Sequence, residues 1–477
     1  MSLSSAKLTA IRYLASQTAP FLLSHASDNR LIALTRVLEH VARTEHHKAQ
    51  VRYLRQLVVE QHPSVVLMRR VLELHPNARR GIINSLGINA TWLGEAERTA
   101  FAAEHGVRPP YLIVISPTMR CNLRCLGCYA GNYPRDGQDP LSFDDLDRIV
   151  SEGKEMGVYM YTISGGEPFM RPDLLDLYDK HRDCVFLIYT NGICIDDKTV
   201  ARLQACGNAA PGISVEGWEA QTDFRRGKGV YRRLMATMDA LREAGIFFGF
   251  SATATRLNAE VYYDEGFYDF MAEKGCLFGW FFIFVPVGQD SSADLMVTPQ
   301  QRDRLRRAVS RMRATKPIFV ADFWNDGCLT GGCMSGGTLY LHVNYRGDLE
   351  PCVFMHFAED NILEMHARGQ HLWEVLKSPL FTRIRGVNRR DPNPLRPCPI
   401  IDHNEWLAEA LAGTRARPTH PGAEDIVTRL APQVRAWAAE YGKLADHAWY
   451  QSGEYAWAQR PGDPLWTSDH ELSERAS

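Results

Sequence analysis

The stretch YLIVISPTMRCNLRCLGCY, residues 111–129, joins a short apolar run to three closely spaced cysteines, Cys121, Cys125 and Cys128. Three thiols within eight residues are expected to converge on one metal centre. Iron-sulfur cubanes normally take four thiolates, so three would leave one iron open to another ligand. Zinc is the alternative, because CxxC pairs also occur in zinc sites that recruit a further Cys or His.

Two further features accompany these cysteines: Tyr129 stands directly behind Cys128, and ISGGEP occupies residues 163–168. Together with the CxxxCxxC spacing, they resemble the radical S-adenosylmethionine (radical SAM) superfamily. The resemblance implies that Cys121, Cys125 and Cys128 are the catalytic residues and hold a [4Fe-4S] cluster whose open iron binds SAM. It also implies reductive cleavage of SAM to a 5′-deoxyadenosyl radical, with an electron donor such as flavodoxin or ferredoxin.

Apolar segments alternate with amphipathic helical segments between residues 106 and 316. Six strands are predicted, at residues 111–116, 159–164, 184–190, 211–216, 247–255 and 280–287. This alternation predicts an α/β fold with a parallel sheet and right-handed crossovers. The resemblance implies that the region is a partial (β/α)6 radical SAM barrel. In such folds the functional residues gather at the carboxyl ends of the strands.

The predicted strand ends carry the candidate cofactor-binding residues. Gly165 and Gly166 allow the backbone to approach a ligand without a Cβ clash, and Glu167 follows as an acceptor. An ordinary strand-to-helix turn is the alternative for this segment. The resemblance implies that the segment binds the amino group of SAM. It further implies that Ser214 contacts the SAM ribose or carboxylate and that Tyr129 is also a cofactor-binding residue.

Four other polar residues near these strand ends leave alternatives open. Glu216 stands where the family commonly has Asp. Asn191, in the sequence TNG, is explained by turn formation as well as by a site role. Arg225 and Arg226 could pair with the SAM carboxylate, since a guanidinium matches carboxylate geometry, or could lie in a solvated loop.

A second group of cysteines follows the barrel. Cys333, Gly347 and Cys352 fit the C-x(9–15)-G-x4-C pattern of SPASM and Twitch extensions, and Cys398 lies farther along in RPCPIID. The intervening TLYLHVNYRGDLEPC predicts a hairpin of two short strands with a thiol near each end. The resemblance implies an auxiliary [4Fe-4S] cluster in a small domain at 317–404, of the one-cluster Twitch type.

The fourth ligand of that cluster is open at the level of sequence. Some Twitch relatives place a cysteine three positions after the equivalent of Cys398, and here that residue is Ile401. Cys328 is the favoured replacement. The alternatives are an iron open to substrate or to a non-cysteine ligand such as His403. Structural zinc bound by four cysteines is a further alternative, because four thiolates suit zinc equally well.

Composition narrows the class of protein. The chain has 477 residues, 45% of them hydrophobic, which is enough for a large core and more than one domain. Its formal net charge of −2 gives no indication of a nucleic-acid partner. Eleven cysteines are too few for a disulfide scaffold in a chain of this length, and the clustering of several of them favours metal binding in a reducing compartment. Since no apolar run reaches the length of a membrane span, a cytoplasmic protein is expected.

Helical regions are predicted on both sides of the two cysteine-bearing regions. Residues 1–105 show helical periodicity and an excess of Lys and Arg over Asp and Glu. Such a basic amphipathic region is either a solvated helix face or a surface for peripheral contact with an anionic membrane. Residues 405–477 are predicted to form a helical tail that packs on the protein or serves at an interface.

The function predicted from these features is radical SAM chemistry on an unidentified small-molecule, lipid or peptide substrate. Hydrogen abstraction followed by electron transfer to the auxiliary cluster would give a net oxidation or a cyclisation. A peptide- or protein-modifying maturase is one alternative. A non-catalytic iron-sulfur redox sensor or electron carrier is an alternative of another class.

Overall fold

A mixed sheet forms the centre of the computed structural model, which describes residues 27–42, 45–135, 137 and 139–459. Its strands are β1 (Leu112–Ile115), β2 (Met160–Ile163), β3 (Val185–Thr190), β4 (Ala209–Ser214), β5 (Gly249–Ala254), β6 (Phe278–Ile283), β7 (Phe319–Asp322), β8 (Tyr340–Val343), β9 (Asp348–Glu350) and β11 (Asp360–Asn361). They lie in the order β11-β9-β8-β1-β2-β3-β4-β5-β6-β7. A separate antiparallel pair joins β10 (Phe357–Ala358) to β12 (Arg417–Pro418).

Helices precede the first strand, connect the strands and follow the last strand in the chain. They are α1 (Asp28–Val41), α2 (Glu45–Val59), α3 (Pro63–Leu72), α4 (Pro76–Ile82), α5 (Gly94–His105), α6 (Phe143–Glu155), α7 (Leu174–Lys180), α8 (Asp197–Cys206), α9 (Glu219–Arg226), α10 (Val230–Glu243), α11 (Glu265–Glu273), α12 (Pro299–Thr315), α13 (Gly327–Thr330), α14 (Ile362–Ala367), α15 (Pro379–Val387), α16 (Asn404–Ala412) and α17 (Ala431–Asp446). The π-helices are Ile83–Leu93 and His447–Gln451, and 3₁₀-helices span Pro168–Met170, Ala259–Tyr263, Ala293–Leu295, Leu372–Lys377 and Ala423–Ile426.

The predicted α/β fold with a partial barrel is confirmed. All six predicted strands are present, and β1 to β7 pair in parallel with their neighbours. The seventh strand, β7, was not predicted, because its four residues begin with an exposed Phe319 and end in Asp322 and therefore lack a clear apolar run. The predicted hairpin is also confirmed as the antiparallel pair β8 and β9.

The hairpin adds to the barrel sheet instead of standing apart from it. Strand β8 pairs in parallel with β1, so that Leu112 lies opposite Met160 on one side and opposite Tyr340 on the other. The sheet therefore runs across the boundary predicted at residues 316 and 317. The division into regions 1–105, 106–316, 317–404 and 405–477 stays a prediction.

The helices before β1 close the amino end of the barrel. Ile82, at the end of α4, packs on Val185, Leu187 and Phe278, which lie in the first halves of β3 and β6. Residues 1–26, 43 and 44 of the predicted helical region fall outside the described residues, as do 460–477 of the predicted tail. In the part of the chain that is described, no helix is long and apolar enough to cross a membrane.

A buried arginine ties the last long helix to the rest of the chain. Arg302, on α12, is fully buried and donates to Asp402 with a nitrogen to oxygen distance of 2.5 Å. Its guanidinium also lies 3.8 Å from the centre of the Tyr441 ring on α17. The predicted packing of the C-terminal helices on the protein itself is thus present up to the end of the described residues.

Breaking this buried ion pair is expected to destabilise the fold. Arg302→Met leaves the Asp402 carboxylate buried without its cation, which should lower the free energy of unfolding by about 3–5 kcal/mol. Arg232→Met is the control, because the exposed Arg232–Glu219 pair should contribute only about 0–1 kcal/mol. Chemical denaturation of both variants beside the parent protein measures the difference, and equal losses would contradict the assignment.

Candidate functional site

The three closely spaced cysteines lie in the loop that follows β1 at the carboxyl end of the sheet. Each is partly buried and none forms a disulfide. Burial, together with the nearby Glu167 and the other two thiols, raises the pKa of the Cys121 thiol to about 11. Because metal coordination removes the thiol proton, a bound metal centre would supply the ionisation that this environment opposes.

The donor set of this loop fits an iron-sulfur cluster. It consists of three free, partly buried cysteines at CxxxCxxC spacing, and cysteine thiolates are the ligands that hold such clusters. Zinc with a further donor is the alternative that this donor set leaves open.

The Gly-Gly-Glu segment packs directly against the cysteine loop. Gly165 has φ +107°, and a Cβ there would lie 2.4 Å from the carbonyl oxygen of Thr118. A Cβ on Gly166 would lie 2.2 Å from the carbonyl oxygen of Arg120. The backbone N–H groups of Gly166 and Glu167 donate to these same two oxygens at 2.8 and 2.7 Å. The glycines are therefore needed for close approach to the cysteine loop itself.

Glu167 is fully buried and joins the end of β2 to the end of β3. Its carboxylate accepts hydrogen bonds from the Thr190 hydroxyl at 2.7 Å and from the backbone N–H groups of Asn191 and Phe169 at 2.7 and 3.0 Å. Burial raises its pKa, although these donors oppose the shift. With its carboxylate engaged in this way, the segment offers mainly its backbone groups to a ligand.

Asn191 reaches the cysteine loop, beyond any role in its own turn. Its amide nitrogen lies 3.8 Å from the sulfur of Cys121 and donates to the Asn122 side chain at 2.6 Å. The TNG motif after β3 was the only signal for this contact in the sequence. The structure thus brings Asn191 into the neighbourhood of the three cysteines.

Glu216 holds two arginines beside the cysteine loop. It is fully buried and accepts from Arg225 at 2.6 Å and from Arg226 at 2.5 Å. Burial opposes ionisation of Glu216, but the two guanidinium groups outweigh it and lower its pKa. Arg226 lies 3.9 Å from the sulfur of Cys125, and Arg225 donates to the Leu126 carbonyl at 3.2 Å. The solvated-loop alternative for the two arginines was therefore wrong.

Two other predicted cofactor-binding residues lie at the same edge of the sheet. The Tyr129 hydroxyl lies 2.6 Å from the Ser164 hydroxyl and accepts from the Gly165 N–H at 3.1 Å. Burial raises the pKa of Tyr129 to about 12, so it stays protonated as a donor. Ser214, at the end of β4, pairs with the hydroxyl of Ser251 at the neighbouring strand, at 3.1 Å.

Three cysteines of the second group lie around one cavity. Cys333, Cys352 and Cys398 line it, and the Tyr340 hydroxyl donates to the Cys352 sulfur at 2.8 Å. Cys328, on α13, is not one of the lining residues. Its role as the fourth ligand, like the choice between iron-sulfur cluster and zinc, stays a prediction.

Sequence reasoning missed a group of aromatic side chains inside the barrel. We call it the aromatic wall, and it consists of Tyr189, Trp280, Phe282 and Phe354. Along β6, Phe281 packs outward on Tyr268 of α11, so the alternating Trp280 and Phe282 face inward. Phe282 contacts Tyr189 at 5.4 Å and Phe354 at 6.2 Å between ring centres. The run WFFIF carried the signal, since its alternate residues point to opposite faces of the sheet.

A buried polar chain that links β1, β8 and β9 was also missed. His342 contacts the Ser116 hydroxyl at 2.7 Å and the Glu350 carboxylate at 2.6 Å. The Tyr133 hydroxyl lies 3.3 Å from Glu350, which extends the chain to the loop behind the first cysteines. It fixes the hairpin of the second cysteine group against the strand that carries the first.

Comparisons with known proteins agree with this arrangement. A family model described as the radical SAM superfamily matches residues 115–256. The AdoMet-dependent heme synthase of Methanosarcina barkeri is 26% identical over 65% of this chain and 92% of that protein. The mycofactocin maturase MftC of Mycobacterium tuberculosis is 29% identical over 59% of this chain and 74% of that protein.

A solved structure shares the fold. Streptococcus suis SuiB bound to S-adenosylmethionine matches with a TM-score of 0.52 and 21% identity, covering 63% of this chain and 73% of that one. The family match runs from the last residue of β1 to just beyond β5, including CxxxCxxC and the Gly-Gly-Glu segment, and the matching relatives are enzymes. The chain is accordingly a radical SAM enzyme that uses S-adenosylmethionine and an iron-sulfur cluster.

Proposed function

We propose that Cys121, Cys125 and Cys128 hold the SAM-binding [4Fe-4S] cluster and that Cys333, Cys352 and Cys398 hold an auxiliary one. When bound, the first cluster supplies the electron that cleaves SAM, and the second accepts the electron left on the substrate after hydrogen abstraction. The substrate would thereby lose one hydrogen atom to the 5′-deoxyadenosyl radical, one electron to the auxiliary cluster and one proton, which is a two-electron oxidation overall. The observation that carries this proposal is the parallel pairing of β1 with β8, which supports both cysteine groups on one sheet.

The chain's own residues would hold SAM at the carboxyl edge of the strands. The backbone of Gly165 and Gly166, fixed by Glu167, lines one side of this position. Tyr129 and Ser214 present hydroxyl groups toward the same edge from the ends of β1 and β4. Since each of these groups is already held by hydrogen bonds, little reorganisation is needed when the cofactor binds.

We infer a large, flat, apolar substrate, and an iron porphyrin is the first candidate. Tyr189, Trp280 and Phe282 offer ring faces inside the barrel and exclude water from a radical formed there. The heme synthase relative and a 31% identical Fe-coproporphyrin III synthase that matches 31% of this chain support the same class. A peptide is the second candidate, supported by the similarity to a mycofactocin maturase.

The first prediction from this proposal separates the two cysteine groups. Anaerobically reconstituted protein should carry about eight irons, and Cys121→Ala and Cys352→Ala should each carry about four. With SAM and dithionite, Cys121→Ala should release no 5′-deoxyadenosine, whereas Cys352→Ala should retain cleavage without substrate oxidation. Cys194→Ala is the matched control and should behave like the parent protein.

Three outcomes would contradict the proposal. Release of 5′-deoxyadenosine by Cys121→Ala at the parent rate would remove the assignment of the first site. A fully loaded parent protein that never cleaves SAM would instead support the non-catalytic electron carrier. About four irons together with one zinc would remove the second cluster.

The charges beside Cys125 generate a second prediction. Positive charge near a cluster favours its more negative, reduced form. Arg226→Gln removes a cation 3.9 Å from the sulfur and should lower the midpoint potential of the first cluster. Glu216→Gln removes a buried anion from the same group and should raise it. Redox titration followed by electron paramagnetic resonance (EPR) measures both, and shifts of the same sign would indicate general damage instead.

A further inference from the structure

The oxidation proposed above leaves one electron on the auxiliary cluster in each turnover. That cluster is ready for the next turnover only after it has passed this electron to an acceptor outside the site. Of the three thiols around the cavity, Cys352 and Cys398 are buried, whereas Cys333 is partly exposed. The thiol nearest the protein surface is therefore that of Cys333.

Helix α15 and the turn after it pack on the loop that carries Cys333. Arg385 donates to the Gly336 carbonyl oxygen at 2.8 Å, and the Asn388 amide donates to the Ser335 hydroxyl at 3.1 Å. The Ser335 hydroxyl in turn lies 3.2 Å from the Cys333 sulfur. Two polar contacts thus connect the end of α15 to this thiol.

The same segment carries four arginines, which we call the arginine patch: Arg383, Arg385, Arg389 and Arg390. Arg385 is partly buried and the other three are exposed. Arg390 pairs with Glu409 at 2.6 Å, whereas Arg385 donates to backbone carbonyl oxygens. In the described part of the chain, no carboxylate lies within ion-pair distance of Arg383, Arg385 or Arg389.

Nearby carboxylates leave most of this positive charge unbalanced. Asp391 follows the arginine patch directly, but its carboxylate pairs with Arg396 and His403 at 2.8 and 2.9 Å. Burial and the like charge of Arg389 lower the pKa of Arg385, in agreement with an excess of cations at this place. A partner with an acidic surface is the electrostatic complement of the arginine patch.

We propose that the arginine patch is the docking surface for an acidic one-electron acceptor protein, which takes the electron of the auxiliary cluster on the side of Cys333. This inference rests on the proposed function, since it requires a cluster in the adjacent cavity. The cluster loses one electron and the acceptor gains it, and no bond is made or broken. Attraction between the two surfaces raises the rate of association about 10-fold to 10³-fold, and salt screens it.

The test uses the full chain with the first cluster removed by Cys121→Ala, Cys125→Ala and Cys128→Ala together. This triple variant is reduced with dithionite, freed of the reductant and mixed with an oxidised acceptor in a stopped-flow instrument. The acceptors are an acidic plastocyanin and a basic cytochrome c, each of which takes one electron. Raising the salt concentration from about 0.02 M to about 0.5 M should slow the plastocyanin reaction at least about tenfold and should not slow the cytochrome c reaction.

Gly386, in α15, provides a matched pair of variants. It is exposed, and a Cβ built on it meets no atom within 4 Å, so a side chain there breaks no contact. At low salt, Gly386→Glu should slow the plastocyanin reaction about fivefold and speed up the cytochrome c reaction. Gly386→Gln adds a side chain of the same size without a charge and should change neither rate.

The outcomes distinguish this inference from the proposed function. If Gly386→Glu and Gly386→Gln react alike, or if Gly386→Glu shifts both acceptors in the same direction, the inference is overturned and the auxiliary cluster stands. Binding of phosphatidylserine vesicles that Gly386→Glu abolishes, with the plastocyanin rate unchanged, assigns the arginine patch to a membrane and also overturns it. A folded triple variant without iron removes the auxiliary cluster and the inference together.

If the triple variant does not fold, the two Gly386 variants are compared in the parent chain. The reaction is then followed by the EPR signal that Cys352→Ala lacks. A plastocyanin reaction that is slower in Gly386→Glu than in Gly386→Gln supports the inference, and equal rates overturn it.

Discussion

The parallel pairing of β1 on both of its sides is the constraint on which the rest of the site depends. β1 has only four residues, yet β2 and β8 both pair with it in register. Because parallel strands end at the same edge, the three cysteines after β1 and the Gly-Gly-Glu segment after β2 must meet there. The pairing of β8 with β1 places the β8–β9 hairpin, which has Cys333 before it and Cys352 after it, beside the same strand.

The buried charged side chains at this edge of the sheet each have a hydrogen-bonding or oppositely charged partner. Glu216 faces two arginines, and His342 bridges Ser116 to Glu350. A buried charge without a partner would be strongly destabilising, so each set fixes the elements that contribute to it. The Glu216 set holds α9 against the cysteine loop, and the His342 set holds the hairpin against β1. The position of each candidate ligand is thus determined by electrostatics as well as by the strands.

Local pattern in the sequence was sufficient for six of the seven parallel barrel strands and for the β8–β9 hairpin, and insufficient for contacts that depend on tertiary packing. The six strands are short apolar runs between helical segments, and the β8–β9 hairpin has its turn at NYRG. The pairing of β8 with β1 joins residues that are far apart in the chain, so no short sequence pattern predicts it. Likewise, the fourth ligand of the second cysteine group depends on how α13 packs, so sequence proximity alone could only suggest Cys328.

Under the proposed function, the aromatic wall gives a physical reason for an electron acceptor at the second cysteine group. The rings inside the barrel exclude water from a radical formed there, which would otherwise be lost in side reactions. From Phe354 on this wall, ring contacts lead to Tyr129 at 5.4 Å and to Trp324 at 5.0 Å, and Trp324 lines the cavity of the second cysteine group. Tyr340 there donates a hydrogen bond to Cys352, and such bonds to sulfur stabilise the reduced form of a cluster. An auxiliary cluster held in this cavity would therefore be well placed to accept the electron of the substrate radical.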